Sequence, residues 1–401
     1  MQLSGKIEND LLNTNVIEIR DEIPSVSEGD RKIVFFNSGW TGPSPKVVLN
    51  AIEDSIKKQV KYYPSSKDAY LSVLEELRNA KLKTASFFST KTSNISLSTN
   101  TTLGINLALN SIDYKAGDEI ITTKHEHASV FIPLYNLRER HGVNVKIIDI
   151  DLKNPVESFK KHITKNTRVV IFCHVLWTNG VVLPVKQIVS ELKDKNIISI
   201  IDGAQAVGSL RVELDDISAD FYAAPGHKWL LGPLGTGFLY VNSRFLGKRP
   251  PWPSVLGYDS VEDLGNGIPF DLNFNWCPRK DAGLFEFGGM NNSLFSGLSS
   301  SISFAEKNIT KFDIFKRIYY LSDYLIQNLR ENKNITVVSN ENHAGLVSWR
   351  HKSKPSRELV SELWNNHKIL IREIPGFNYC RASVHYFNTK EEIDFLLERL
   401  K

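Results

Sequence analysis

Short apolar runs separated by longer amphipathic stretches dominate the first two thirds of the chain. A short run that is apolar throughout is typical of a strand buried on both faces in a parallel sheet, whereas apolar residues spaced by three and four positions indicate a helix. Strands are predicted at 33–36, 95–98, 119–122, 143–150, 167–175, 197–201, 221–224 and 235–241, and helices at 47–58 and 71–88. Strands and helices in this succession predict an α/β fold.

The pattern changes from Leu298 onwards. A long helix is predicted from there to about Asn332, followed by strands at 335–338 and 346–350, a helix at 356–367, strands at 369–374 and 381–387, and a closing helix at 390–400. We therefore predict three parts. They are an N-terminal segment that packs with the small domain, residues 1–30; a large domain, residues 31–297; and a small α+β domain, residues 298–401.

Composition and charge narrow the class of protein. The 401 residues, 41% hydrophobic and 23% charged, are those of an ordinary globular protein with a large core. The formal net charge is +4 and no basic stripe is present, so nucleic acid is not an expected partner. No apolar run approaches the roughly 18 residues of a membrane span, and the N-terminus lacks the pattern of a secretory signal. Because Cys173, Cys277 and Cys380 are too few for a disulfide framework, we expect a cytoplasmic protein.

Two charged residues follow neighbouring strands of the predicted sheet. Strand 197–201 leads directly into Asp202, and strand 221–224 leads, four residues later, to Lys228. Ligands of parallel α/β sheets bind outside the carboxyl ends of the strands. The carboxylate and the amine are therefore expected to point into one crevice.

Asp202 and Lys228 together suit a pyridoxal cofactor. Desolvation at the mouth of a sheet lowers the pKa of a lysine, and the neutral amine can form a Schiff base with an aldehyde. A nearby acid can keep a pyridinium nitrogen protonated, which makes pyridoxal phosphate an electron sink. The structural alternative is that Asp202 caps a helix starting at Ala204 and that Lys228 is solvated. This alternative explains either residue alone better than it explains the pair.

The residues around this pair resemble a known superfamily. The segment DGAQAVG at 202–208, followed by ADFYAAPGHKWLLGPLGTGFLYV at 219–241, is similar to the class V aminotransferases. This group includes cysteine desulfurases, selenocysteine and cystine lyases and isopenicillin N epimerase-like proteins, which use pyridoxal 5'-phosphate (PLP). The resemblance implies the PLP-dependent transferase fold of aspartate aminotransferase type I, with a mostly parallel seven-stranded sheet in the large domain. It also implies a homodimer with active sites at the subunit interface.

The resemblance assigns cofactor contacts to residues of this chain. Lys228 is expected to carry the cofactor as an aldimine, Asp202 to pair with the ring nitrogen, and Gln205 to bond the ring hydroxyl. Ala204 is expected under the ring, His127 stacked on it, and His227 beside Lys228. Lys228, His127 and Asp202 are the predicted catalytic residues. His125 and His127 could also suggest a metal, but no ligand pattern nearby completes a site, and no metal is expected.

Thr101 and Thr102 are predicted to hold the cofactor phosphate. They open a predicted helix, whose free N–H groups and positive dipole end suit an anion, although helix capping alone is the alternative use. Gly289 is expected to reach the phosphate of the partner subunit through its backbone, because Gly288-Gly289 stands where the family carries Gly-Thr. Pro225 likewise replaces a serine that bonds the phosphate in many relatives. The two departures suggest a phosphate that is held differently, not one that is absent.

Arg381, Arg372 and Trp177 are the predicted substrate-binding residues. Arg381 starts the segment Arg-Ala-Ser before Tyr-Phe-Asn-Thr, which resembles the carboxylate-binding arginine of the family, and its planar fork suits an α-carboxylate. A structural ion pair is the alternative for the arginines, and core packing is the alternative for Trp177. The Gly-rich and Pro-rich stretch 37–45 is interpreted as a loop on the substrate side, with a plain linker as the alternative.

The cysteines favour one reaction within the superfamily. Desulfurases carry a nucleophilic cysteine on a mobile loop between the two arginines, but here only the short interval from Glu373 to Cys380 is available. We therefore predict a C–S lyase that performs β-elimination on cysteine, cystine or an S-substituted cysteine. A cysteine desulfurase that uses Cys277, an epimerase and an aminotransferase are the enzymatic alternatives. A PLP-fold pseudoenzyme that serves as a binding module is the alternative outside catalysis.

Overall fold

The computed structural model describes residues 11, 14–27, 33–62, 65–247, 251–265 and 268–401. Residues 1–10, 12–13 and 28–30 of the predicted N-terminal segment lie outside this range. No helix among the described residues is long and apolar enough to cross a membrane.

A seven-stranded sheet forms the centre of the molecule. In spatial order its strands are β2 (Ile95–Ser98), β8 (Gly237–Val241), β7 (Phe221–Pro225), β6 (Ile198–Asp202), β5 (Thr167–Cys173), β3 (Glu119–Thr123) and β4 (Asn144–Ile148). Only β8 runs antiparallel to its neighbours. The predicted α/β fold with a mostly parallel seven-stranded sheet is confirmed.

Helices cover both faces of this sheet. Those that precede or alternate with its strands are α3 (Lys46–Lys61), α4 (Lys67–Phe87), α5 (Thr101–Asn110), α6 (Ala128–His141), α7 (Pro155–Lys160), α8 (Val185–Lys193) and α9 (Leu214–Ile217). One apolar cluster includes Phe172 and Ile201, and another on the opposite face includes Ile171 and Ile200. Because successive side chains of a strand point to opposite faces, the uninterrupted apolar runs follow from this double burial.

The C-terminal part forms a second, smaller sheet. Its antiparallel strands, in spatial order, are β11 (Ile335–Val337), β12 (Leu346–His351), β15 (Tyr379–Ser383) and β14 (Arg372–Ile374). The helices of this part are α10 (Asn292–Ile309), α11 (Ile314–Glu331), α12 (Ser356–His367) and α13 (Lys390–Arg399). Two further two-stranded sheets pair β1 (Val34–Phe35) with β13 (Ile369–Leu370) and β9 (Val261–Glu262) with β10 (Cys277–Pro278).

The prediction of one long helix from Leu298 to about Asn332 is wrong. The chain there forms α10 and α11, which are separated by residues 310–313. Asp313 interrupts the helical pattern because its side chain accepts a hydrogen bond from the Lys316 N–H at 3.0 Å and caps the second helix.

Two predicted strands also differ from the structure. The predicted strand 369–374 is divided at the buried Ile371, so that β13 pairs with β1 while β14 pairs with β15. The predicted strand 381–387 ends at Ser383, because the Val384 N–H bonds the Gly345 carbonyl and the chain leaves the ladder. Neither segment contains a glycine or proline that would mark a break, and for this reason the sequence pattern did not reveal them.

The described N-terminal residues contact the C-terminal part of the chain. These are α1 (Ile17–Asp21) and α2 (Pro24–Ser27). Ile19 and Ile23 pack in an apolar cluster with Phe387, and Arg20 forms an ion pair with Glu392 at 2.8 Å. The predicted boundary between residues 297 and 298 falls inside α10. The division into three parts stays a prediction.

Candidate active site

A cavity of about 220 Å³ lies at the carboxyl ends of β6 and β7. Asp202 and Ala223 are paired there in register, so the acid at the end of one strand and the segment that leads to Lys228 are neighbours. The lining residues are Gly39, Trp40, Asn100, Thr101, Thr102, His127, Ser129, Cys173, Val175, Trp177, Asp202, Ala204, Gln205, Pro225, His227, Lys228, Arg372 and Arg381. All predicted site residues except Gly289 are therefore brought to one cavity.

Asp202, which is buried, and Lys228, which is half-buried, both line this cavity. Burial lowers the pKa of Lys228 to about 8, with the positive charges of Arg381 and Arg372 acting in the same direction and Asp202 opposing them. Burial raises the pKa of Asp202, which Lys228 and the Ala204 N–H partly offset. Asp202 accepts that N–H at 2.8 Å, but residues 204–206 form turns and not a helix. The alternative of a helix cap at Ala204 is therefore wrong.

The N-terminus of α5 forms one wall. Asn100 caps this helix by accepting the Leu103 N–H at 2.9 Å, so the cap does not use the two threonines that follow. The Thr101 hydroxyl is buried and has no hydrogen-bond partner within the described chain, while the Thr102 and Ser129 hydroxyls are 2.8 Å apart. A helix N-terminus with an unused hydroxyl is suited to bind an anion.

His127 stands at the N-terminus of α6, where it is the capping residue. Its Nδ1 accepts the Ser129 N–H at 3.2 Å, which fixes the neutral ring with its proton on Nε2. Although His127 is exposed within the described chain, partial desolvation lowers its pKa to about 4, and Lys228, Arg372 and Arg381 contribute in the same direction. The indole of Trp177 meets the imidazole edge to face, with ring centroids 5.4 Å apart.

His125 is turned away from this cavity. Its Nδ1 lies 2.8 Å from the Thr178 hydroxyl, and its ring is stacked against Phe377. No group of three or more potential metal ligands of the types His, Cys, Asp and Glu occurs in the described ranges.

Gln205 is held by two hydrogen bonds of opposite sense. Its Nε2 donates to the Gly39 carbonyl at 2.8 Å, and its Oε1 accepts from the Trp229 indole N–H at 2.8 Å. The loop at 37–45 is fastened to the same region, because the Gly42 N–H donates to the His227 carbonyl at 2.7 Å. A Cβ at position 42 would overlap the Lys228 carbonyl, so only glycine permits this approach.

Two arginines from adjacent strands line the opposite side. Arg372 and Arg381 are paired in register across β14 and β15. Arg381 donates from Nη1 to the Trp177 carbonyl at 2.7 Å, but its buried Nε has no partner in the described part of the protein. Burial, and then the charge of Arg372, lowers the pKa of Arg381 to about 9. The guanidinium of Arg372 lies 4.1 Å from the ring centroid of Trp40.

The unused polar atoms show what the cavity can bind. Within the described residues, the lining atoms that are buried without a partner are Thr101 Oγ1, Trp177 Nε1, His227 Nδ1 and Arg381 Nε. Buried polar groups are nearly always hydrogen-bonded in native proteins. Their occurrence in residues that line one cavity, together with a helix N-terminus and a lysine with a lowered pKa, fits a polar anionic ligand that carries an aldehyde.

Gly289 lies outside the cavity and adopts a left-handed conformation with φ of 67°. A Cβ there would meet no atom of the described chain within 4 Å. Its predicted contact is with the partner's phosphate, so this role stays a prediction.

The three cysteines occupy different environments. Cys380 is fully buried beneath the small sheet, its thiol 3.7 Å from the Ser356 carbonyl, and burial raises its pKa to about 12. Cys277 lies in β10, outside the cavity. Cys173 lines the cavity, but its thiol donates to Glu126 at 2.7 Å and its pKa is raised well above the usual value, first by burial.

Several lining residues were not predicted from the sequence. Cys173 was interpreted as core packing, and Asn100, Ser129 and Val175 received no role. The buried Glu126, which accepts hydrogen bonds from Thr123 and Cys173, was also missed. Its position directly before His127 was the one available signal. Trp40 belongs to the loop that was interpreted as lying on the substrate side.

The fold and the cavity define an α/β protein whose ligand site lies where PLP-type folds place theirs. The family model of the class-V aminotransferases matches residues 33–396, and the chain therefore belongs to this family. A relative named as a probable cysteine desulfurase, from Methanothermobacter thermautotrophicus, is 29% identical over 405 residues, which cover 96% of this chain and 97% of the relative.

Solved structures match over a similar length. One is a variant of C-DES with glycine covalently linked to its PLP cofactor, which is 25% identical, covers 95% of this chain and 98% of its own, and has a TM-score of 0.87. Another is the complex between the cystine C–S lyase C-DES and its reaction product cysteine persulfide, with 26% identity, coverage of 94% and 98%, and a TM-score of 0.86.

Proposed function

We propose that this protein is a PLP-dependent lyase that cleaves the C–S bond of cysteine, cystine or an S-substituted cysteine. The observation that carries the proposal is a half-buried Lys228 with a lowered pKa, which shares one cavity with the buried Asp202 and the buried Arg381. A similar solved structure holds a PLP cofactor, and another is named as a cystine C–S lyase.

The lining residues fit PLP, which when bound supplies an electron sink for charge that develops at Cα. Thr101, Thr102 and the N-terminus of α5 would hold the phosphate. Asp202 would pair with the ring nitrogen and Gln205 with the ring hydroxyl. His127 and Ala204 would contact the ring, and His227 Nδ1, which has no partner among the described residues, would be a further contact.

Lys228 and Arg381 act on the substrate. A pKa of about 8 leaves a substantial fraction of the Lys228 amine neutral near pH 8, so the amine can exchange with the amine of the substrate and then remove the Cα proton. The free Nε of Arg381 binds the α-carboxylate, while its Nη1 stays fixed on the Trp177 carbonyl. Trp177 and Arg372 complete the substrate side.

Attachment of the cofactor to Lys228 is the first test. Purified protein loaded with PLP should be yellow, borohydride should abolish the visible band, and peptide mass mapping should find the reduced adduct on Lys228. Lys354, which pairs with Glu362 on the surface, is a lysine that should remain unmodified. An adduct on another lysine, or a colourless protein that cannot be loaded, contradicts the proposal.

A cysteine desulfurase is the second candidate, because the relative described above is named as one. The structure of the substrate side favours the lyase. β14 and β15 are joined by the four residues 375–378, which leaves no loop for a nucleophilic cysteine, and the thiol of Cys173 is engaged by Glu126. A β-elimination needs no protein thiol, whereas desulfuration needs a thiolate that attacks the substrate sulfur.

The variant Cys173→Ala/Cys277→Ala/Cys380→Ala separates these candidates. Per cofactor-loaded site it should still form pyruvate and release sulfide from cysteine, or leave cysteine persulfide from cystine. Formation of alanine by the unmodified protein, and its loss in Cys277→Ala alone, would establish the desulfurase instead.

The proposal includes a homodimer, whose partner approaches the cavity through the segment between β9 and β10. Among the described residues, this segment exposes apolar side chains to an unusual degree, with Leu272 at 92% and Phe274 at 93%. Large exposed apolar groups that cluster together mark interaction surfaces. The expected cytoplasmic location stays a prediction from the sequence.

Sedimentation of the unmodified protein should give twice the mass of one chain. Leu272→Lys/Phe274→Lys should shift the equilibrium to the monomer, and Ile17→Lys, which changes an exposed residue of α1, should not. A monomeric unmodified protein contradicts this part of the proposal.

A further inference from the structure

Trp229, the residue directly after Lys228, is fully buried and held from two sides. Its backbone carbonyl accepts a hydrogen bond from His385 Nε2 at 3.0 Å, and the two rings are stacked with centroids 5.6 Å apart. On the other side, a Cβ at Gly345 would lie 2.6 Å from the indole, so glycine is needed for the backbone to pass this closely. The indole therefore has little freedom to move.

This fixed indole determines which way the Gln205 amide points. An indole N–H can only donate and a backbone carbonyl can only accept. With Trp229 on one side and the Gly39 carbonyl on the other, the amide satisfies both partners only when Oε1 faces the indole and Nε2 faces Gly39. The reverse orientation would place N–H against N–H and oxygen against oxygen, and two buried hydrogen bonds would be lost.

The fixed orientation leaves one hydrogen of Nε2 for a ligand. Gln205 lines the cavity, and its bond to Gly39 uses a single hydrogen of the amide nitrogen. A ligand oxygen beside Gln205 therefore meets an N–H donor, and donors stabilise an oxygen in its ionised form.

We propose that Trp229 is a positioning residue that holds the Gln205 amide nitrogen towards the ring oxygen of the cofactor and so favours the ionised ring oxygen. This inference rests on the proposed function. Its consequence is spectroscopic, because the ionised oxygen with the proton on the lysine-linked nitrogen absorbs in the visible, whereas the neutral hydroxyl form absorbs in the near ultraviolet.

Absorbance of the PLP-loaded protein tests the proposal. Trp229→Phe keeps the ring and removes the N–H, so the Gln205 amide is free to turn, and the ratio of the near-ultraviolet to the visible band should rise about tenfold, as expected for a lost hydrogen bond to an ionised group. Trp349→Phe is the matched control, because Trp349 is fully buried in the small domain with an unpaired N–H. It should keep the ratio of the unmodified protein.

A double-mutant comparison separates positioning from general packing. In a Gln205→Met background, which has no amide to orient, adding Trp229→Phe should not change the band ratio further. An equal change in both backgrounds, or no change in Trp229→Phe alone, overturns the proposal. If the unmodified protein shows no visible band that borohydride removes, the proposed function fails, and this result is distinct from a failure of the inference.

Gln205→Glu tests the orientation without altering the indole, should Trp229→Phe not fold. Trp229 continues to donate to one carboxylate oxygen, so the other oxygen replaces the N–H donor at the ligand. The band ratio should again rise. An unchanged ratio would mean that an oxygen already faces the ligand in the unmodified protein, which overturns the proposal.

Discussion

Two arginines, Arg317 and Arg381, are equally buried, each with 1% of its surface exposed, yet the regions around them differ. Arg317 donates from Nε to the Tyr386 carbonyl and from Nη2 to the Asn388 carbonyl, each at 2.8 Å, and from Nη1 to the Leu11 carbonyl. It joins the N-terminal residue Leu11 to residues 386 and 388 in the C-terminal part of the chain.

Arg381, which lines the cavity, donates one hydrogen bond, to the Trp177 carbonyl, and its buried Nε has no partner in the described chain. Burial lowers the pKa of both guanidinium groups, to about 10 for Arg317 and about 9 for Arg381. Burial alone therefore does not distinguish a structural arginine from one that binds a ligand. The number of guanidinium donors that are hydrogen-bonded within the protein distinguishes the two kinds of arginine.

Replacing Arg317 should have the largest effect on stability. Arg317→Met leaves three buried carbonyls without their donor, and the free energy of unfolding should fall by about 4 kcal/mol. Chemical denaturation measures this change. The KM of the remaining folded enzyme for its amino acid substrate should stay unchanged, and a raised KM would show that the two arginines do not have separate roles.

Arg381→Met should raise KM and should not lower the free energy of unfolding. Loss of a charge-assisted contact with the α-carboxylate should cost about 2–4 kcal/mol, which corresponds to a rise in KM of roughly 30-fold to 1000-fold. The free energy of unfolding should not fall, because an under-paired buried charge is removed. Steady-state kinetics and denaturation of the same preparation check both statements. A variant that loses PLP but keeps its substrate affinity would place Arg381 at the phosphate instead.

Glu126 extends the comparison to a buried carboxyl group. Several donors bond it, and burial still disfavours its ionised form. Burial raises its pKa from 4.5 to about 7. A raised carboxyl pKa stabilises the folded state fully below pH 4.5, and this contribution is lost as the pH rises towards 7. Glu126→Gln removes this dependence of stability on pH. From pH 5 to pH 8, the free energy of unfolding of the variant should therefore rise by about 2.5 kcal/mol relative to that of the unmodified apoprotein.

Unfolding curves at the two pH values measure the effect of Glu126→Gln. The exposed Glu53→Gln on α3 is the control and should show the same difference from the unmodified protein at both values. If the free energy of unfolding of Glu126→Gln differs from that of the unmodified protein by the same amount at both pH values, this carboxyl does not titrate in that range.

The smallest expected effect concerns Lys228. The rate at which PLP attaches to the apoprotein should rise with pH around a midpoint near 8, because the amine of Lys228 must be neutral to react. Asp202→Asn removes an attraction that raises the pKa of Lys228 and should lower this midpoint by about one pH unit. Stopped-flow absorbance follows the reaction. A midpoint near 10 in the unmodified protein would contradict the lowered pKa.

The sequence predicted the strands that carry the site better than the contacts that complete it. Asp202 and Lys228 follow uninterrupted apolar runs, so their strands and the edge where they meet could be predicted. The division of 369–374 at Ile371 could not be predicted, because no glycine or proline separates the two strands, which join different sheets. Cys173 was placed in the core by its apolar neighbours, although it also faces the cavity. The Gln205–Trp229 bond joins residues 24 positions apart, and only the folded chain reveals it.

His127 caps α6 through a ring nitrogen that can also take up a proton. The Nδ1 lone pair that accepts the Ser129 N–H is the same lone pair that would take up a proton. Linkage is reciprocal, so the cap lowers the proton affinity of the ring as much as a proton weakens the cap. With a pKa of about 4, the ring stays neutral at physiological pH, and its Nε2 hydrogen is the one proton that it can offer to the cavity. Protonation of His127 would remove this cap, so the first turn of α6 should fray in acid below about pH 4.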